Sequence, residues 1–235
     1  MKKVLVIIVL TAFVVSGFSQ TRLERREQRE NVRVIHTERG IDDPVAHAIL
    51  GNVRRNFESF RSLKFHFSVI TENRMEGVRN TVGNGTILMR GDSYNLSFLE
   101  MTTISDGRTV WNFNSETNEV YISRVNPDDF ETMNPLMLIN SYQDHFRGTL
   151  IREQMENNIH VAVIDLRPFE TRSFHRVRMI VNMQNNSLVR SEIHDRDGTI
   201  LIFQIDQMQT NVPTPSNQFR FDVARHPGVE VIDLR

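Results

Sequence analysis

The chain contains no cysteine, one tryptophan and three tyrosines among 235 residues. The missing cysteine excludes disulfides, thiolate metal sites, thiol catalysis and lipidation on an N-terminal cysteine. No charge of one sign dominates: 28 lysines and arginines face 29 aspartates and glutamates, for a formal net charge of -1. A chain this balanced has no overall field with which to hold a phosphate backbone, so nucleic acid is not an expected partner. Glycine-rich repeats and low-complexity tracts are absent. With 39% hydrophobic and 24% charged residues the composition is that of a globular domain, not of a disordered or collagen-like chain.

Long apolar runs are also scarce, and the first stands at the start. Lys2 and Lys3 precede an apolar stretch from Val4 to Val15, and Ser16-Gly17-Phe18-Ser19 follows, with small residues at Gly17 and Ser19. Positive start, apolar centre and small-residue end form a secretory signal peptide over residues 1–19. The run is shorter than the roughly 20 residues a bilayer span needs. Cleavage after Ser19 takes the net charge to -3 and leaves Lys64 as the only lysine, every other basic side chain being arginine. The expected product is exported and periplasmic.

Residues 20–43 mix both signs (Arg22, Glu24, Arg25, Arg26, Glu27, Arg29, Glu30) with few apolar side chains, the pattern of a flexible charged leader. Order is expected from 44 to 235, in one domain. Asp42 and Asp43 supply N-cap chemistry and Pro44 suits the first helical position. Ile49, Leu50, Val53, Phe57 and Phe60 then recur at helical spacing, which predicts an amphipathic helix that must lie on an apolar surface. The period next falls to two. Leu63, Phe65, Phe67 and Val69 alternate with polar residues, as do Tyr94, Leu96 and Phe98; a strand is expected over Gly85–Arg90. Asp106-Gly107 and Asp197-Gly198 are hairpin signals, and strands are expected over 159–166, 177–183, 188–194 and 199–205. Asn134-Pro135 introduces a short apolar helix, Leu136–Ile139, ending near Tyr142. Steady short strands with two helical insertions predict a mainly β, α+β fold: a strongly curved antiparallel sheet or incomplete barrel with a helical lid.

Catalytic patterns are weak. The eight histidines are scattered and none forms a helical pair around a glutamate, so no metal is expected. Asp195-Arg196-Asp197-Gly198 has its glycine too early for a calcium loop and reads as a turn. Gly83-Asn84-Gly85 lacks the third glycine of a nucleotide loop and leads into a strand. There is no nucleophile elbow. The expectation is a protein that is not an enzyme and needs no cofactor. The 15 phenylalanines and 10 methionines are more informative, because methionine-rich apolar surfaces adapt to irregular partners.

Three segments carry a resemblance: Gly85-Thr86-Ile87-Leu88-Met89-Arg90, Ser105-Asp106-Gly107-Arg108-Thr109-Val110-Trp111 and Asn134-Pro135-Leu136-Met137-Leu138-Ile139, with Phe219-Arg220-Phe221 and Pro227-Gly228-Val229 closing the chain. In this order, from about Pro44 onward, the chain resembles the LolA family of periplasmic outer-membrane lipoprotein carriers. The resemblance implies an incomplete barrel under a helical lid, with lipoprotein acyl chains in the hydrophobic cavity between them. It implies a monomeric chaperone for acylated lipoproteins, loaded by an inner-membrane ABC transporter and relieved by an outer-membrane acceptor. It also implies that Arg90 contacts the lid and gates it, although Gly91 stands where the family usually has proline. A lipid chain exposed to water loses about 0.8 kcal/mol per CH₂, which is why such cargo needs a carrier that hides it and can still let it go.

Strand parity assigns Phe65, Phe67, Leu88, Tyr94, Leu96, Phe98 and Trp111 to the concave, acyl-chain-binding face, and Ile49, Val53, Phe57, Met137 and Ile139 to the lid. A shift of one residue would carry a strand to the other face. Two further functions use the same fold: a periplasmic sensor of lipids or lipoproteins that signals through a stable partner, and a carrier of another lipid.

Overall fold

The computed structural model describes residues 33–34, 42–126 and 135–235. The expected signal peptide, most of the expected leader and Asn134 lie outside the described residues.

Helix α1 (Pro44–Glu58) starts where the sequence places it. Asp43 caps it through Oδ1, which accepts from the Val45 N–H at 2.9 Å, and Pro44 occupies the first turn. Its buried stripe is Ala46, Ile49, Leu50 and Val53. Helix α2 (Pro135–His145) is longer than the apolar segment that signals it. No helix among the described residues is long and apolar enough to cross a membrane.

Thirteen strands among the described residues form one sheet. They are β1 (Arg33–Val34), β2 (Leu63–Asn73), β3 (Val78–Arg90), β4 (Ser93–Phe98), β5 (Met101–Ser105), β6 (Thr109–Asn114), β7 (Glu119–Arg124), β8 (Phe146–Glu156), β9 (Ile159–Pro168), β10 (Phe174–Asn182), β11 (Ser187–Asp195), β12 (Thr199–Thr210) and β13 (Glu230–Asp233). Their order is β1-β8-β9-β10-β11-β12-β2-β3-β4-β5-β6-β7-β13. Every pairing is antiparallel except β7 with β13. The sheet curls without closing, because β1 and β13 are not hydrogen-bonded to each other. The expected turns are present: Gly107 and Gly198 have φ +87° and +89°. Strand β8 has no counterpart among the expected elements, and β3 begins seven residues earlier than expected.

The two faces are covered differently. On the inner face α1 and α2 pack over β8 and its neighbours, and Leu50, Val53, Leu150, Ile164 and Met179 are fully buried there. On the outer face of β5, β6 and β7 a second cluster forms from Ile104, Trp111, Phe113, Val120 and Ile122. The C-terminal segment covers it: Phe221 lies 5.2 Å from Phe113, and His226 stacks on Phe221 at 4.5 Å. The outer face of β9, β10 and β11 carries the buried side chains of Val163 and Ile180 beside an ionic cluster. Asp165, Arg178 and Glu192 lie opposite one another on neighbouring strands. Asp165 accepts from Arg178 at 2.7 and 3.1 Å and from Arg176 at 3.2 Å. Arg190 donates to Glu192 at 2.9 Å and reaches Glu156. His194 Nδ1 faces the Arg176 guanidinium at 3.2 Å, and an arginine can only donate, so the other ring nitrogen carries the proton that His194 gives to Glu192.

Leu50→Ala should therefore cost about 2–5 kcal/mol of folding stability, since it empties a site with no exposure; urea unfolding followed by Trp111 fluorescence measures it. The ionic cluster predicts a pH effect. Burial alone would raise the Glu192 pKa, but the hydrogen bonds from His194 and Arg190, with the charges of Arg190 and Arg178, bring it from 4.5 to about 2. The folded value lies below the unfolded one, so this group's contribution to stability is complete above pH 4.5 and is lost as pH falls toward 2. A series of thermal unfolding curves across that window should show a steeper fall for the unaltered chain than for Glu192→Gln.

Candidate functional site

The inner face is built in cross-strand rows. Met208, Phe65, Ile87 and Leu96 lie opposite one another across β12, β2, β3 and β4, and Ile205, Phe67, Gly85 and Phe98 form the adjacent row. Phe65, Phe67, Ile87 and Tyr94 are buried, while Phe57, Met89, Leu96, Phe98, Phe203, Ile205 and Met208 are only partly covered. The rings make one aromatic band: Phe57 meets Phe65 edge-on at 5.7 Å, and Phe67 lies 6.0 Å from Phe98 and 6.2 Å from Phe203. A half-covered apolar band on the inside of an open sheet can take up a flexible hydrocarbon without unfolding anything.

Glycine makes room for the band. A Cβ on Gly85 would lie 2.8 Å from the Ser97 carbonyl oxygen and closer still to the Phe67 ring. The Gly83-Asn84-Gly85 run is thus a seat for aromatic rings on β3, which explains glycine in the middle of a strand.

Helix α1 is fastened at both ends. The second carboxylate oxygen of Asp43 accepts from the Leu150 N–H at 3.1 Å, and the Asp43 N–H donates to the Gly148 carbonyl at 3.0 Å. At the other end the Asn56 amide donates to the carbonyls of Asn185 and Asn186, both at 3.2 Å. Helix α2 joins α1 through Tyr142, which stacks on His47 at 5.5 Å and hydrogen-bonds its Nδ1 at 2.8 Å. Burial pushes the Tyr142 hydroxyl pKa up, so it stays protonated.

Of the residues assigned to the concave face, Phe65, Phe67, Tyr94, Leu96 and Phe98 do share the inner face. Leu88 and Trp111 do not, and their placement is corrected. Leu88 pairs with Lys64 and Asn95, one step out of phase with the apolar row, so Ile87 and Met89 face inward instead. Trp111 pairs with Ile104 and Ile122 on the outer face. The physical reason is a switch of polarity between β4 and β5. Inside, β5 to β7 present Thr103, Ser105, Asn112 and Ser123, with Met101, Val110 and Tyr121 beside them, while Ile104, Trp111, Phe113, Val120 and Ile122 point outward.

Arg90 is also corrected. It extends from the outer face, where its guanidinium donates to the Thr214 carbonyl at 2.9 Å and lies 4.8 Å over the Phe219 ring. It holds the C-terminal segment, not a lid helix. Ile49, Val53 and Ile139 are buried beneath the helices and Phe57 reaches the aromatic band; Met137 lies in α2. The sequence reading missed Phe203, Ile205 and Met208. The alternation Leu201-Phe203-Ile205 signals a strand, but only its pairing with β2 shows which side is inner. A separate groove of about 510 Å³, lined by Arg108, Thr109, Arg124, Asp233 and Arg235, contains none of the expected site residues. Among the described residues no three His, Asp or Glu side chains are grouped to hold a metal ion.

Gly85→Ala is expected to destabilise the fold by about 1–3 kcal/mol through crowding of Phe67. The same substitution should cost less in a Phe67→Leu background, and a double-mutant cycle by urea unfolding reads that difference.

Comparison with known proteins places this geometry. Among solved structures, an uncharacterized conserved protein from Thermus thermophilus superposes with a TM-score of 0.56 at 14% identity, covering 80% of this chain and 99% of its own. A LolA superfamily protein from Nitrosomonas europaea gives 0.43 at 13% identity, over 76% and 98% of the two chains. The lipoprotein LppX of Mycobacterium tuberculosis gives 0.41 at 11% identity, over 74% and 98%. No curated protein sequence matches the chain. The family model "Outer membrane lipoprotein carrier protein LolA" matches residues 96–222, more than half of the sequence, and the chain belongs to the LolA family.

Proposed function

We propose that the protein is an exported carrier that receives lipoprotein acyl chains on the inner face of its sheet and conveys them from the inner to the outer membrane. The observation that carries this reading is the partly covered aromatic and aliphatic band of Phe57, Leu96, Phe98, Phe203, Ile205 and Met208 beside two packed helices. Its membership of a lipoprotein carrier family and the signal-peptide pattern of residues 1–19 support the same reading. The chemistry is that of burial alone. A hydrocarbon chain leaving water gains about 0.8 kcal/mol per CH₂, and the band supplies apolar, polarisable side chains that can shift to admit it. Because the described residues cover the band only in part, cargo replaces water without first displacing a finished core. In this reading an inner-membrane ABC transporter loads the carrier and an outer-membrane acceptor unloads it.

The test is to incubate the chain from Gln20 onward with spheroplasts of its source and to identify acylated proteins in the soluble fraction. The expected result is lipoprotein released in complex with the carrier. Phe203→Asp, which puts a charge among the band's partly covered side chains, should reduce release at least about tenfold while leaving the far-ultraviolet spectrum unchanged. Absence of release from competent spheroplasts by folded protein overturns the lipoprotein reading, and mass spectrometry of co-purified lipid then identifies another apolar cargo if there is one.

A further inference from the structure

The outer face of β8 to β11 does not balance its charges evenly. Toward its middle, Arg178 binds Asp165, and Arg190 binds Glu156 and Glu192. Toward the Phe146 end of β8 the balance fails. Arg147 lies directly opposite Arg167 across β8 and β9. Leu166 pairs with Val177, so the next residues of those antiparallel strands, Arg167 and Arg176, adjoin, and Arg176 in turn lies opposite His194. Strands lie about 4.8 Å apart, so this row crosses four strands in roughly 14 Å. Its neighbours Phe146, Leu166 and Val177 belong to the inner core, which puts the row on the outer face. His175, next to Arg176, joins it with its ring 6.0 Å from that of His194.

Like charges directly opposite one another across a sheet destabilise it. The described residues do little to offset that cost. No carboxylate among them lies within ion-pair distance of Arg147 or Arg167, and the ring nearest the Arg147 guanidinium, Phe169, is 6.0 Å away. The carboxylate that Arg176 reaches, Asp165, is buried and already accepts two bonds from Arg178. The surplus is felt by its neighbours. Burial, with the charges of Arg178 and Arg167, disfavours the charged form of Arg176 in spite of Asp165. Burial, with the charges of Arg176, His194 and Arg167, lowers the His175 pKa. Arg147, Arg167 and His175 are exposed, so a counter-charge can reach them from solvent.

We propose that Arg147, Arg167 and Arg176, with His175, form a binding site for a phosphate group on the outer face of the sheet. The row favours phosphate over carboxylate. A carboxylate carries a single charge and matches one guanidinium fork, whereas a phosphate monoester carries about two charges and three acceptor oxygens, enough to engage adjacent forks. All three fixed cations are arginines, the side chain whose planar fork suits that bidentate geometry. The site lies on the face opposite the apolar band and does not depend on the carrier reading. Inorganic phosphate and the headgroup of a phosphorylated lipid offer the same chemistry.

Titration of the chain from Gln20 onward with inorganic phosphate, at an ionic strength held constant with chloride and followed by the imidazole NMR signals, tests this; His175→Gln identifies the signal to follow. Phosphate should move the His175 signal saturably and raise the pH at which it titrates, because a bound anion cancels the arginine charge that lowers it. The double variant Arg147→Gln/Arg167→Gln should bind phosphate at least about tenfold more weakly. Without phosphate its unfolding temperature should not fall, because the substitution removes a like-charge pair. Flotation with vesicles containing phosphatidic acid separates the two sources. Flotation that phosphate competes away assigns the site to a lipid headgroup, and a saturable signal shift without flotation assigns it to the free ion. An unmoved His175 signal, or equal binding by the double variant, overturns the proposal. A short glutamate peptide that moves the signal where phosphate does not assigns the row to an acidic protein partner and also overturns it.

Discussion

An open sheet has two faces, and the whole structure follows from how each is kept from water. A thirteen-stranded sheet that curls without closing cannot hide both sides by folding on itself. Here the inner side of β8 to β11 receives two helices, the outer side of β5 to β7 receives the C-terminal segment, and the outer side of β9 to β11 carries paired arginines and carboxylates. What remains half-covered is the inner side of β12, β2, β3 and β4. The candidate site is thus a stretch of apolar face for which the described chain supplies an incomplete cover.

The helices are less free than the word lid suggests. Asp43 uses one oxygen to cap α1 and the other to bind the Leu150 amide, so the start of the helix and strand β8 share a single buried carboxylate. Asn56 ties the far end to the turn between β10 and β11. Swinging α1 away would break both attachments and expose Leu50 and Val53. Helix α2 meets α1 through Tyr142 and His47 and buries Leu138 and Ile139. If cargo requires the cover to move, the partly covered rings can shift without breaking either attachment of α1.

The order of elements was legible because periodicity and turn chemistry are local. Asp43-Pro44, Asp106-Gly107 and Asp197-Gly198 mark the boundaries found in the structure, and the alternation of Phe65, Phe67, Tyr94, Leu96 and Phe98 identifies a common face. Expectation and structure part where that face is extended along the sheet. Alternation tells which residues of one strand share a side, but not which side its neighbour buries. Trp111 and Phe113 alternate as clearly as Phe65 and Phe67, yet they face the other way, because a cover for the outer side arrives from Phe221, over a hundred residues later in the sequence. Leu88 differs by one residue for the same reason, and Arg90, which the resemblance directs toward a lid helix, finds its partners Thr214 and Phe219 in the C-terminal segment. The β12 contribution of Phe203, Ile205 and Met208 was illegible until β12 was paired with β2.

The half-covered band also reconciles stability with use. A fully buried aromatic core would resist cargo, since each chain admitted would first have to displace well-packed side chains. A fully exposed one would attract other copies of the protein. Phe98 and Phe203 sit between those limits, each leaning on the buried Phe67, whose ring is in turn seated on Gly85. One buried ring on one glycine thus fixes the floor, while the rings around it keep room to move. A surface of that kind binds hydrocarbon by area and not by shape, which limits affinity and keeps the cargo exchangeable.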